Sequence, residues 1–169
     1  MTDGLNSQVP VVHRVPAHLA RRFHQICLGA LAEITVPEDL SPLQYGIIGS
    51  IHDQPGLDQR RLAERMGMDT VSAHHHIEFL EERGLVTRST DANDRRSRVL
   101  KLTVRGARLR EQLRPRIVGA HDRVLASLSK SDRETFLRLL TRVVESNEPY
   151  ARPGNGRRRP PKRITELMR

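Results

Sequence analysis

The sequence predicts a mainly α-helical fold with a small β-wing, and three observations predict it. Residues 62–103 read as a short helix, a turn at Gly67, a second helix over 70–83, and two short strands joined by a charged loop. Apolar residues recur at helical spacing on both sides of that stretch, whereas the run Val99-Leu100-Lys101-Leu102 alternates as a strand does. Capping residues also precede the helical runs, at Ser41, Asp58, Asp69, Thr103 and Ser129. This order describes a winged helix-turn-helix domain over 36–103 plus a helical dimerisation module made from 16–35 and 104–147.

Residues 1–15 show no periodicity and are expected to form a flexible arm. Pro16 suits a first helical turn. It opens a helix whose stripe of Leu19, Phe23, Ile26, Ala30 and Ile34 is widened by Cys27, Leu28 and Leu31. So wide a stripe implies two neighbours rather than one. Pro37 breaks this helix. The run Ser41-Pro42-Leu43-Gln44 then combines an N-cap, a proline at the first helical position and a capping-box glutamine. That helix runs to about residue 53, closed by Gln54-Pro55-Gly56, and Asp58 caps a short helix over 59–66.

In the helix over 70–83, Ala73, His76, Ile77 and Leu80 fall on one face at 100° per residue, the face to be buried. His76 is therefore expected to be a hydrogen-bonded core histidine. Asp69 or Thr70 is the N-cap, and Gly84 supplies the left-handed residue that ends the helix. Thr70, Val71, Ser72, His74 and His75 are left outside, while Glu78, Glu81 and Glu82 are confined to the C-terminal half. A helix that enters a major groove by its N-terminus needs small donors and acceptors there and keeps its carboxylates away from phosphates.

The strands are predicted at 85–89 and 99–102. Between them Asp91, Asn93 and Asp94 are turn formers, and Arg95, Arg96 and Arg98 put guanidinium groups on the hairpin tip. An arginine there can enter a narrow minor groove beside a major-groove helix, with Asp94 holding Arg96 in one rotamer. Taken alone, the loop reads better as a solvated charged hairpin; the helix in front of it tips the reading to DNA. Thr103 caps a long helix over 104–128 that Pro115 should kink, and Ser129 starts a last amphipathic helix carrying Phe136, Leu139, Leu140, Val143 and Val144. Residues 148–169 turn rich in Pro, Gly and Arg, a composition expected to be disordered, either adding phosphate contacts or merely solubilising.

The chain of 169 residues carries a net charge of +9, which favours a polyanionic partner. With 3% aromatic residues and no Trp it lacks a stacking platform for single strands, leaving duplex DNA as the better target. No apolar run approaches the roughly 20 residues that span a membrane. With no leader-like N-terminus and one cysteine, a cytoplasmic location is expected. No phosphate loop, nucleophile elbow or zinc-protease motif appears, so neither catalysis nor a cofactor is expected. His74, His75 and His76 point to three sides of a helix and cannot converge on one ion. Cys27 joins an apolar stripe, which favours a buried, inert thiol over a redox sensor.

The segments 41–48, LAERMGMD at 62–69, FLEERGLVTR at 79–88, DRRSRVLKLT at 94–103 and the following Arg105-Gly106 resemble the MarR family of winged-helix transcriptional regulators, and the likeness covers about 15–146. The resemblance implies a homodimeric regulator, most often a repressor, on a pseudo-palindromic operator, with Asp94 positioning Arg96 in the minor groove. It further implies a small effector, often an aromatic or phenolic acid, held between the first, second and fifth helices. Arg22, His24, Tyr45 and His52 are the candidate polar groups there. One departure bears on base preference: His75 and His76 stand where the family commonly has an arginine and then an apolar residue. The alternatives are a non-sequence-specific architectural DNA binder and a redox- or metal-sensing regulator.

Overall fold

A computed structural model of the chain describes residues 15–90, 98–147 and 150. Its elements are α1 (Pro16–Thr35), a 3-10 turn (Val36–Glu38), α2 (Pro42–Asp53), α3 (Gln59–Arg65), α4 (Thr70–Glu82), β1 (Val86–Thr90), β2 (Arg98–Leu102), α5 (Val104–Val124) and α6 (Lys130–Ser146). The arm at 1–14, the hairpin tip with Asp94, Arg95 and Arg96, and most of the basic tail lie outside the described residues.

Helices α2 to α4 and the two strands enclose one core of Leu40, Ile47, Ile48, Ile51, Leu57, Leu62, Ile77, Leu80, Leu85, Val86 and Leu100. Each fully buried Leu or Ile here adds about 1.5–3 kcal/mol of transfer free energy, so this lobe has its own stabilising centre. A second, smaller cluster of Ile34, Leu113, Ile117 and Ala120 holds α1 against α5. Leu109 packs against both clusters and ties the lobe to the long helix.

The helix starts follow the local signals. Ser41 and Gln44 form a reciprocal capping box. Asp58, Asp69, Thr103 and Ser129 each accept a backbone N–H of the first turn. Gly67 and Gly84 take φ values of 63° and 64°, where a side chain would be strained. Strands β1 and β2 pair antiparallel with Val86 opposite Leu102 and Thr90 opposite Arg98. Leu100 N–H donates to the Leu57 carbonyl at 2.8 Å, and Asp58 bridges Val99. The wing root is thereby fixed to the entrance of α3.

Several expectations need correction. Strand β1 begins at Val86, because Leu85 is fully buried and its carbonyl accepts the Thr103 N–H instead of pairing across the ribbon. Helix α5 stops at Val124, where the Leu125 N–H bonds back to the Arg123 and His121 carbonyls. Pro115 lies inside α5, with helix on both sides of it. The α1 stripe divides: Ile34 is buried and Phe23, Cys27, Ala30 and Leu31 half-buried, whereas Leu19, Ile26 and Leu28 stay exposed. His76 is half-buried, and no hydrogen bond reaches its ring among the described residues.

Candidate nucleic-acid interface

Asp69 sets the start of α4. Its Oδ1 accepts the Ser72 backbone N–H at 2.8 Å and its Oδ2 the Ser72 hydroxyl at 2.9 Å. Those bonds, the backbone one first, hold the Asp69 carboxyl below the usual carboxylate range. The Ser72 hydroxyl proton is thus committed inside the protein and the residue is half-buried. Thr70, Val71, His74 and His75 are exposed on the outer face of the same helix. His75 is the more exposed of the two imidazoles, with 70% of its side chain exposed against 46% for His74. Arg98, at the start of β2, is exposed as well.

Of the three carboxylates of α4, two lie near basic side chains and Glu82 is exposed. Glu78 faces His74 Nε2 at 3.5 Å and His75 Nδ1 at 4.0 Å, and Glu81 is paired with Arg88 of β1. Helix α3, packed beside α4, exposes Arg60, Arg61 and Arg65. These three guanidinium groups were not singled out in the sequence, although three arginines in a seven-residue helix were the signal. Arg61 Nε lies 3.5 Å from Asp58 Oδ2, and the three together put positive charge on the helix that precedes α4.

The four candidate effector-binding residues do not form one group. Tyr45 is half-buried, its hydroxyl donates to the Arg110 carbonyl at 3.4 Å, and burial pushes its pKa up. His52 is exposed, with Nδ1 2.9 Å from Asp53 Oδ1, and Arg110 reaches the same oxygen at 3.1 Å. Asp53 is held below the ordinary carboxylate value, by the His52 hydrogen bond first. Arg22 and His24 are exposed on α1, apart from that network. A cleft of about 460 Å³ between α1 and α5 is walled by Glu33, Ile34, Pro115, Arg116, Gly119 and Arg123, with none of the four candidates in its lining. Arg110, which ties α2 to α5, was not foreseen.

Cys27 is half-buried, and burial raises its thiol pKa, which disfavours the reactive thiolate. Among the described residues no three His, Cys, Asp or Glu side chains converge as metal ligands, and no helix is long and apolar enough to cross a membrane.

The MarR family profile matches residues 38–97, from the turn before α2 to the wing. A transcriptional regulatory protein assigned to the hcr operon of Thauera aromatica is 34% identical over 114 residues, spanning 68% of this chain and 69% of that one. The chain belongs to the MarR family. Two solved structures show how far the likeness extends beyond the lobe. The PcaV transcriptional regulator of Streptomyces coelicolor, in complex with its natural ligand, is 31% identical with a TM-score of 0.70, over 83% of this chain and 98% of that one. CouR of Rhodococcus jostii RHA1, bound to p-coumaroyl-CoA, is 30% identical with a TM-score of 0.72, over 81% and 95%. The protein is accordingly a MarR-type transcriptional regulator with a DNA-binding winged helix.

Proposed function

We propose that this MarR-family chain is a homodimeric, sequence-specific repressor on duplex DNA, released from its operator by a small aromatic or phenolic compound. The observation that carries the DNA reading is the polarity of α4, whose outer N-terminal half exposes Thr70, Val71, His74 and His75 while its carboxylates lie toward the other end. Helix α4 enters the major groove, with Val71 against thymine methyls and His75 at a base edge. Arg60, Arg61 and Arg65 take phosphates, and Arg95, Arg96 and Arg98 take the backbone and the adjacent minor groove. Two such heads related by a two-fold axis read half-sites about 10 bp apart. The ligand reading is supported by CouR, solved with p-coumaroyl-CoA. Tyr45, His52 and Arg110 are the polar groups best placed between α2 and α5, with Arg22 and His24 reaching them only by rearrangement. An effector acts here only by binding the DNA-competent and released states with different affinity.

The test is a duplex selected from a randomised pool by the protein, titrated in salt beside a scrambled duplex of equal composition. Preference for the selected duplex across the series is expected, with affinity for both falling as salt rises. Equal affinity for the two duplexes would mean an architectural binder. Arg96→Ala is expected to lower affinity with the fold intact, whereas His75→Ala changes base preference at one position in each half-site.

A further inference from the structure

We propose that Arg88 is a positioning residue for base reading: it sets α4 against α3 and the wing, occupies His74, and leaves His75 as the imidazole free to meet a base. The inference rests on α4 being the groove-entering helix.

Arg88 is the third residue of β1, opposite Leu100. Its side chain does not run out into solvent, and 24% of it is exposed. Nη1 pairs with Glu81 Oε2, while Glu81 Oε1 accepts the Arg88 backbone N–H at 3.1 Å. One residue thereby holds both oxygens of a carboxylate on the reading helix, so that charge does not face the phosphates. Nη2 lies 3.4 Å from Gln59 Oε1 of α3 and 3.4 Å from His74 Nδ1 of α4. Gln59 Nε2 in turn donates to the Thr70 carbonyl at 3.3 Å. His74 and Glu81 are seven residues apart, two turns along one face. A single guanidinium therefore grips α4 at two heights and α3 at its first residue, which fixes both rotation and tilt.

The same contacts divide the labour between two neighbouring imidazoles. Arginine has donors and no acceptor, so His74 Nδ1 must accept from it. The ring proton then sits on Nε2, which faces Glu78 Oε1 at 3.5 Å. Nδ1 of His74 is thus engaged by Arg88, while Nε2 lies within ion-pair distance of Glu78. His75 approaches Glu78 no closer than 4.0 Å, beyond hydrogen-bond range, and keeps its ring available. A lysine cannot replace the fork, because one ammonium does not reach Glu81, Gln59 and His74 from a single planar head.

The test measures affinity for the pool-selected and scrambled duplexes at one salt concentration, for wild type, Arg88→Lys, Arg88→Gln, His74→Ala, His75→Ala and the Arg88→Gln/His74→Ala double variant. A positioning role predicts that both Arg88 variants lose roughly 10-fold in the selected-to-scrambled ratio, the scale of one misplaced base contact, with scrambled affinity nearly unchanged. The double variant should be no worse than Arg88→Gln. Equal losses on both duplexes would make Arg88 a phosphate contact, and an unchanged ratio would remove it from reading; either overturns the inference. His74 is exposed, so His74→Ala folds whatever becomes of the Arg88 variants. A loss of base preference as large as that of His75→Ala also overturns the division of labour. If wild type selects no sequence from the pool, the sequence-specific reading itself fails before any variant is compared.

Discussion

Asp69 accepts two hydrogen bonds from Ser72, and both favour its ionised form. A carboxyl held low in the folded state adds stability above its unfolded value of about 3.9, and that stability is lost as pH falls through the folded value. Asparagine caps as well as aspartate but does not ionise. Asp69→Asn is therefore expected to be less stable than wild type near neutral pH, with the gap closing below about pH 4. Denaturant midpoints of the two proteins between pH 3 and pH 7 check this, and a gap that widens on acidification would contradict it. Caps of this kind were legible in the sequence because donor and acceptor lie three residues apart. Arg88 was not legible: its partners lie 7, 14 and 29 positions away, and no local pattern says which carboxylate or imidazole a strand arginine will meet. The expected effector-binding residues fared similarly. Tyr45 and His52 are linked through Arg110 and Asp53, a tertiary arrangement, whereas Arg22 and His24 were chosen for their chemistry and lie elsewhere.

The start of α5 shows what periodicity conveys about an element and what it omits. Thr103 was recognisable as a cap, and the Arg105-Gly106 pair was visible, yet the need for glycine appears only in three dimensions. Thr103 Oγ1 donates to the Gly84 carbonyl at 2.7 Å and accepts the Gly106 N–H at 3.0 Å, drawing α5 onto the turn after α4. A Cβ at Gly106 would stand 2.0 Å from the Leu85 carbonyl oxygen and 2.9 Å from its carbon. Those atoms are backbone and cannot swing aside. The same crowding places Leu85 in the junction and starts β1 one residue later than strand propensity suggests. Gly106→Ala should cost at least the ~1–3 kcal/mol typical of overpacking, read as a lower denaturant midpoint. Gly119→Ala, in the same helix with nothing within 4 Å, is the control. It should be neutral or stabilising by up to about 1 kcal/mol through helix propensity. Equal destabilisation by both would locate the effect in the helix rather than in its junction with Leu85.

At the scale of the whole molecule, the distribution of apolar surface argues for a second copy of the chain. Helix α6 contains no buried residue. Leu137, Leu139, Leu140, Val143 and Val144 are all exposed on it, and Leu19 and Ile26 are exposed on α1. The two helices meet through Phe23 and Phe136, edge to face at 5.4 Å, so these surfaces adjoin. A contiguous apolar surface of this kind marks an interaction site, and none of these side chains belongs to the core of the winged lobe. Assembly and reading-head stability are therefore separable by mutation. Val143, 59% exposed, is the clearest position to charge. Val143→Glu should yield a monomer by light scattering, with the far-ultraviolet spectrum and the lobe's thermal transition retained. Linking two heads makes the second contact intramolecular, an advantage of about 10²–10⁴ in avidity, so affinity for the selected duplex should fall by a comparable factor and approach that for a single half-site. Arg138→Glu, an exposed charge reversal on the same helix, controls for altered electrostatics. A monomeric Val143→Glu protein that binds the full duplex as tightly as wild type would show that one head suffices and that the apolar faces of α1 and α6 serve another purpose.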